Sequence, residues 1–369
     1  MYKVLVFGMT ENPGGVESFL LNYYRRIDRE KIQFDFLCNS YDPVAYEDEL
    51  LALGGHTFHF PARSKSPKEY RSKLEDFFQK HSKEYQAIWV NVCSLANIDY
   101  LKMAKKYGIP KRIIHSHNSQ NMDSKLRGIL HKWNKKSVRN YATDFWACGE
   151  DAAKWFYTDD MMSEVVIIHN AIDVERMTFQ EHQRQKYRQQ LDCGDKFVIG
   201  NVGRLHFQKN QSFLLDVFQK ILVSDPDAQL VLVGQGEDKK MLKEKAETLH
   251  VADNVHFVGV QYDIPGWLSA FDLFLFPSVF EGLGIAGLEA EANGIPVLAS
   301  AKVIPNEVKM NPNFIFYSLD ESPEAWAQQA LTMKEMPRLS MKEVKENFVK
   351  NGYDISTEVK KLEMLFCKE

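Results

Sequence analysis

No run in this chain of 369 residues comes near the roughly 18 consecutive apolar residues that a helix needs to span a bilayer. Excess positive charge is also missing. With 46 Lys and Arg against 50 Asp and Glu the net charge is −4, so nothing in the overall balance draws the chain to nucleic acid, and no such partner is expected. The five cysteines, Cys38, Cys93, Cys148, Cys193 and Cys367, are odd in number, scattered and without C-x-x-C spacing, which excludes a disulfide framework and a cysteine zinc site. The only Asp-x-Asp string, Asp225-Pro226-Asp227, stands where a connecting loop is expected, so no metal is expected either. The opening MYKVLVFGM has one lysine and too short an apolar stretch for a signal peptide, and reads as a core strand of a cytoplasmic protein. What remains is an ordinary globular composition, 44% hydrophobic and 26% charged, in a chain long enough for two domains.

Both halves repeat one pattern. Lys3 to Phe7 reads as a strand, Thr10 to Gly15 as a Pro-Gly-Gly loop, and Phe19, Leu20 and Tyr23 recur at helical spacing. Strand-like runs follow at Phe34 to Cys38, Ala87 to Val92 and Arg112 to His115, with helix-like segments between them. The same alternation resumes at Phe197 to Val202, Leu230 to Val233, Val255 to Val258 and Leu273 to Phe276. Such alternation predicts an α/β protein with parallel sheets covered on both faces, whose ligands bind beyond the carboxyl ends of the strands. The polar, Gln- and Arg-rich segment Glu181 to Leu191 marks the boundary, giving an N-terminal domain over 1–180 and a C-terminal one over 195–350. Residues 351–369 then form a closing helix that packs across the interface.

The most informative stretch is DLFLFPSVFEGLGIAGLEAEANGIPVLAS, from Asp272 to Ser300, which reads as strand, glycine turn, helix and strand. Glu281 and Glu289 are eight positions apart, about 2.2 helical turns, so both carboxylates can face one cleft. Spacing alone equally allows two solvated helix carboxylates. Gly282, Gly284 and Gly287 bare the backbone at a helix N-terminus, where free N–H groups and the dipole suit a diphosphate. A second loop, Gly203-Arg204-Leu205-His206-Phe207-Gln208-Lys209-Asn210, sets Arg204 and Lys209 beside another helix start, where they can clamp an anion. In the first half, Gly14 and Gly15 lie at a strand–helix junction without the G-x-G-x-x-G fingerprint, and Glu17 reads as a first-turn helix carboxylate. His115 and His117 end a strand, where each is as readily a hydrogen-bonded loop histidine as a ligand contact.

Pro277-Ser278-x-x-Glu281-Gly282-Leu283-Gly284, with Glu289-Ala290 and Asn293-Gly294-Ile295-Pro296-Val297 downstream, resembles the E-x7-E element of retaining family 4 glycosyltransferases. The Gly203-Arg204…Lys209-Asn210 loop resembles the same family, and the GGVE and HSHNS segments and the short length resemble its bacterial capsule and exopolysaccharide branch. The resemblance implies a GT-B fold, two Rossmann-like domains facing each other across a cleft. It implies that Glu281 and His117, with His115 as second choice, contact the transferred sugar. Arg204, Lys209, Leu283, Gly284 and, from the other domain, Gly14 and Gly15 would meet the donor diphosphate. Glu289 would hold the ribose, and the backbone at Val260 and Gln261 would face the nucleobase. The donor is then a nucleotide diphosphate sugar, a uridine one, and the acceptor a saccharide or lipid-linked saccharide. Retention follows if the leaving phosphate takes the acceptor's proton on the same face; double displacement is the other route. Family members carry Asn-Gly-Ile-Asp where this chain has Asn170-Ala171-Ile172-Asp173, which puts the local backbone in question. A nucleotide-sugar 2-epimerase of the same fold and a non-catalytic sugar-nucleotide-binding assembly protein are the competing functions.

Two segments stand out for charge. Ser124 to Tyr141 carries Lys125, Arg127, Lys132, Lys135, Lys136 and Arg139, with Leu126, Ile129, Leu130 and Trp133 at i, i+3, i+4 and i+7. Arg63 to Lys73 carries Lys65, Lys68 and Arg71. The first reading is a core-facing apolar stripe under a solvated basic face. The alternative is attraction to an anionic membrane at its cytoplasmic side.

Overall fold

The computed structural model describes residues 1–118 and 125–367. Ser119 of the HSHNS segment and Ser124, which opens the basic stretch, lie outside the described residues. The chain divides into two compact units, Met1–Ala171 with Ile355–Glu369, and Ile172–Asp354.

The first unit holds seven strands: β1 Tyr2–Phe7, β2 Ile32–Cys38, β3 Thr57–His59, β4 Ala87–Val92, β5 Lys111–Ser116, β6 Asp144–Ala147 and β7 Val165–Ile167, in the order β3-β2-β1-β4-β5-β6-β7. The second holds β8 Val198–Val202, β9 Gln229–Val233, β10 Val255–Gly259, β11 Leu273–Phe276, β12 Val297–Ser300 and β13 Phe314–Tyr317, in the order β10-β9-β8-β11-β12-β13. The strand pairings are parallel. Helices cover both faces, so the central strands are apolar runs rather than alternating ones; all four residues of LFLF in β11 are buried. Each unit places its core on the two sides of its sheet. In each, the strand order turns outward from a central pair, β1/β4 and β8/β11, and the candidate residues cluster where those strands end.

The unit boundary corrects the one expected from sequence. Glu181–Gln190 is a helix, and it lies wholly in the second unit, so the boundary does not fall within or just after it. Arg184 and Arg188 both reach Asp272 (2.6 and 2.5 Å) and donate to the carbonyls that end helix Ile264–Ala270, while Tyr187 stacks on Trp267 with ring centroids 4.3 Å apart. The chain crosses instead at Ala171/Ile172 and again at Asp354/Ile355. Ala171, where the family resemblance leads one to expect glycine, is fully buried and is not among the positive-φ residues, so a side chain is tolerated there. The closing helix, Ile355–Cys367, belongs to the first unit: Val359, Leu362 and Phe366 join its core, and the Phe366 ring lies 5.8, 5.6 and 5.5 Å from those of Phe34, Trp89 and Trp146.

Candidate active site

In the second unit β11 ends at Phe276, and the chain turns through Pro277–Leu283 before Gly284 opens helix Ile285–Ala292. Gly284 has φ 87° and a Cβ there would lie 3.1 Å from the Phe276 ring, so this turn requires glycine. Glu281 is buried in the turn, and its Oε1 accepts from Lys209 Nζ (2.6 Å) and from Ser278 Oγ (2.6 Å). The ammonium also stands 5.4 Å from the centre of the Phe276 ring. The two loops are laced together: Val279 N–H donates to Gln208 O (2.9 Å), Gln208 Nε2 to Phe280 O (3.0 Å) and Asn210 Nδ2 to Pro277 O (3.1 Å). A cation and a carboxylate are thereby fixed at a helix N-terminus whose first N–H groups have no helical partner.

Glu289 and Glu291 share one helix but not one face. Glu291 is buried, and its Oε2 accepts the Met310 and Asn311 N–H groups (2.9 and 2.7 Å), which pins that turn. Glu289 is partly buried and takes no side-chain hydrogen bond from the described residues. Burial pushes its pKa up to about 7, against the opposing pull of the Lys209 ammonium. A carboxylate raised this way and left without partners is the mark of a ligand-binding group.

Arg204 stands apart from Lys209. Its exposed guanidinium grips Glu237 (Nε–Oε2 3.0 Å, Nη2–Oε1 3.3 Å), and His206 reaches the same carboxylate at 3.3 Å. Glu237 follows a turn at which a Cβ on Gly234 (φ 135°) would come 2.0 Å from Gly203 O, so that glycine is what lets the two loops touch. Leu283 is buried, Val260 is exposed, and Gln261 closes its own turn by donating to Val258 O (2.7 Å).

The first unit brings His115 and His117 together at the end of β5, ring centroids 4.2 Å apart and both edge-on to Phe19. Asn91, at the end of the neighbouring β4, donates its Nδ2 to Trp89 O (3.3 Å), so its Oδ1 faces His117 Nε2 at 2.9 Å. His117 therefore carries its proton on Nε2 and offers a lone pair at Nδ1, a closed-off atom with no partner among the described residues. Burial pushes its pKa down to about 3, so the ring is neutral at any ordinary pH, and burial holds His115 low as well. Gly14 and Gly15 open helix Gly15–Arg26. Glu17 does more than begin that helix: its Oε1 accepts from Thr10 N–H (3.1 Å) and Thr10 Oγ1 (2.6 Å), closing the glycine loop on itself, and burial raises its pKa.

Two family models match: Glycosyltransferase Family 4 over residues 13–176 and Glycosyl transferases group 1 over 183–354. A Bacillus subtilis (strain 168) protein named "Putative glycosyltransferase EpsF" is 30% identical over 359 residues, covering 94% of this chain and 92% of the relative. The chain is a family 4 glycosyltransferase. An Escherichia coli enzyme named UDP-Gal:alpha-D-GlcNAc-diphosphoundecaprenol alpha-1,3-galactosyltransferase is 24% identical over 78% of this chain and 76% of its own. Anabaena HepE, solved in complex with UDP and glucose, superposes with a TM-score of 0.79 at 19% identity over 99% of both chains, which establishes the GT-B fold.

The residues of this glycosyltransferase that sequence reasoning missed are the partners of the ones it found. Ser278 was in view as part of the Pro-Ser motif, but not as a donor to Glu281 three residues on. Asn91 gives no signal at all, because it meets His117 only through the register of β4 beside β5. Among the described residues no group of His, Cys, Asp and Glu is placed to hold a metal ion, and no helix is long and apolar enough to cross a membrane.

Proposed function

We propose that this glycosyltransferase moves a sugar from a nucleotide diphosphate sugar, a uridine one, to a lipid-linked saccharide. The anomeric configuration is retained, no metal takes part, and the product is a bacterial exopolysaccharide or capsule precursor built at the inner face of the cell membrane. The observation that carries the reading is the Lys209–Glu281 contact at the N-terminus of helix Ile285–Ala292. The glycosyl–phosphate bond breaks with negative charge growing on the diphosphate. Lys209, Arg204 released from Glu237, and the N–H groups after Leu283 and Gly284 oppose that charge. Glu281 holds hydroxyls of the sugar, and Glu289 accepts the ribose diol. Val260 and Gln261 present backbone to the base. The acceptor hydroxyl bonds to the anomeric carbon as its proton passes to the departing phosphate, so no further side chain is needed as base.

His117, neutral and with its closed-off Nδ1 unpaired, is assigned to accept a sugar hydroxyl once donor binding opens access to that atom. Asn91 fixes that tautomer. Replacing Asn91 by leucine frees the ring to invert, and kcat should fall about tenfold, by the loss of one oriented hydrogen bond of roughly 1.4 kcal/mol. The imidazole 15N shifts of His117 should move toward mixed tautomers in the same variant. Unchanged shifts would remove Asn91 from the site.

Support from relatives is by name only: HepE was solved with UDP and glucose, and the Escherichia coli enzyme acts on a diphosphoundecaprenol-linked sugar. Product analysis with a panel of uridine sugars and a lipid-linked acceptor, with and without EDTA, tests the reading. Transfer with an α-donor should give an α-linked product in EDTA. Conversion of the donor without acceptor would show an epimerase, and binding without either product an assembly protein.

A further inference from the structure

Helix Lys125–Ser137 is held by its polar side. His131 is buried, accepts the Leu95 N–H at Nδ1 (3.0 Å), donates from Nε2 to Trp155 O (3.1 Å), and stacks on the Trp155 ring at 4.0 Å. Asn134 donates to Leu95 O (2.6 Å), and Lys135 to Lys154 O and Trp155 O (2.7 and 3.1 Å). The apolar stripe therefore points away from the core that sequence reasoning assigned it: Leu126 is 67% exposed, Ile129 56%, Leu130 38% and Trp133 78%. Four large apolar side chains on one face of one helix exceed what scattered surface hydrophobics explain. Beside them Lys125, Lys132 and Lys136 are exposed, and no Asp or Glu occurs from Lys125 to Arg139.

We propose that this helix is the bilayer-docking face of the protein, with Leu126, Ile129, Leu130 and Trp133 entering the headgroup–acyl boundary and the flanking cations meeting anionic lipid phosphates. Charge decides the occupant. A second copy of the chain seated on the same face would set these cations against their own kind, whereas an anionic leaflet neutralises all of them. The other basic segment, Arg63–Lys73, does not qualify: Arg63 pairs with Asp99 (3.3 Å), Lys73 pairs with Glu69 (3.0 Å), and helix Pro67–His81 adds Glu75 and Asp76. The proposal deepens the lipid-linked-acceptor reading, to which it gives a surface.

The test is flotation of the full chain with phosphatidylcholine vesicles, with and without phosphatidylglycerol. Binding should require the anionic lipid at low salt. Each charge reversal at Lys132 or Lys136 should weaken it about fivefold or more. The double variant Ile129→Ser/Trp133→Ser should lose the binding that persists at high salt, while Arg71→Glu changes nothing. All of these side chains are exposed, so the variants should fold. Failure to float on anionic vesicles, flotation indifferent to Ile129→Ser/Trp133→Ser, or a self-association that those substitutions abolish would each overturn the proposal. Transfer to a water-soluble acceptor analogue should survive in every docking variant. If vesicles bind but no acceptor is glycosylated, the transfer reading fails and the docking face stands.

Discussion

Replacing Lys209 by alanine is expected to slow sugar transfer by about a hundred- to a thousandfold, the usual loss when one preorganised charge-stabilising donor is removed. It should also destabilise the fold. Lys209 Nζ and Glu281 Oε1 are 2.6 Å apart, with side chains only 17% and 6% exposed. Removing the cation leaves the Glu281 carboxylate with Ser278 as its remaining side-chain donor, and stranding one member of a buried pair costs roughly 3–5 kcal/mol. The two effects separate in the double variant Lys209→Met/Glu281→Gln. Its neutral, similarly shaped pair strands no charge, so stability should return most of the way toward the parent, while transfer stays at the level of Lys209→Ala or below. Thermal unfolding of Lys209→Ala and of the double variant, with kcat and KM on the same preparations, decides the matter. A double variant as unstable as Lys209→Ala would mean that the loss comes from packing over Phe276 and not from the pair. Near-normal kcat in Lys209→Ala would take the cation out of the reaction and leave it a structural role.

How much of this was legible beforehand depends on the range of the interaction. The strands were legible because a doubly covered parallel strand is an uninterrupted apolar run, as in LFLF, and the turn at Glu281 because its glycines and the Pro-Ser before it are local. The direction in which the Leu126–Trp133 stripe faces was not, because periodicity defines a stripe and not its partner. What anchors that helix is a histidine and an asparagine reaching Leu95 and Trp155, 36 and 24 residues from His131 in sequence. The Gln- and Arg-rich segment read as the place of the domain boundary because it is polar, yet its arginines are spent on carbonyls and on Asp272, 84 to 88 residues on. Arg204 was found beside Lys209 in sequence, but its grip on Glu237 depends on two loops meeting at Gly234. In each case the residue type was visible and the partner was not, since partners are chosen by strand register and loop approach.

Glu289 carries the second large prediction, in which stability and binding move in opposite directions. Its pKa rises from 4.5 to about 7 in the folded protein, so between those values the native state binds more protons than the unfolded chain. Stability therefore falls as pH rises through that window, and the penalty is complete above it. Glutamine carries no such penalty. Glu289→Gln should match the parent near pH 4 and exceed it at pH 8 by about 1–2 kcal/mol, the full shift being discounted because the side chain is partly exposed. Nucleotide affinity should do the reverse. A ribose diol donates better to a carboxylate than to a neutral carbonyl or carboxylic acid, so UDP binding by the parent should strengthen from pH 6 to pH 8 as Glu289 ionises. In Glu289→Gln affinity at pH 8 should drop about ten- to a hundredfold, and the part of the pH slope due to the carboxyl should vanish. The phosphate of UDP also titrates in this range, so the readout is the difference between parent and variant in paired calorimetric titrations and melts. His117, neutral above about pH 3, adds nothing to that difference. Identical melts at pH 8 would show that the carboxylate is well solvated. Equal UDP affinity at pH 8 would move the ribose elsewhere and reduce the E-x7-E pair to Glu281 alone.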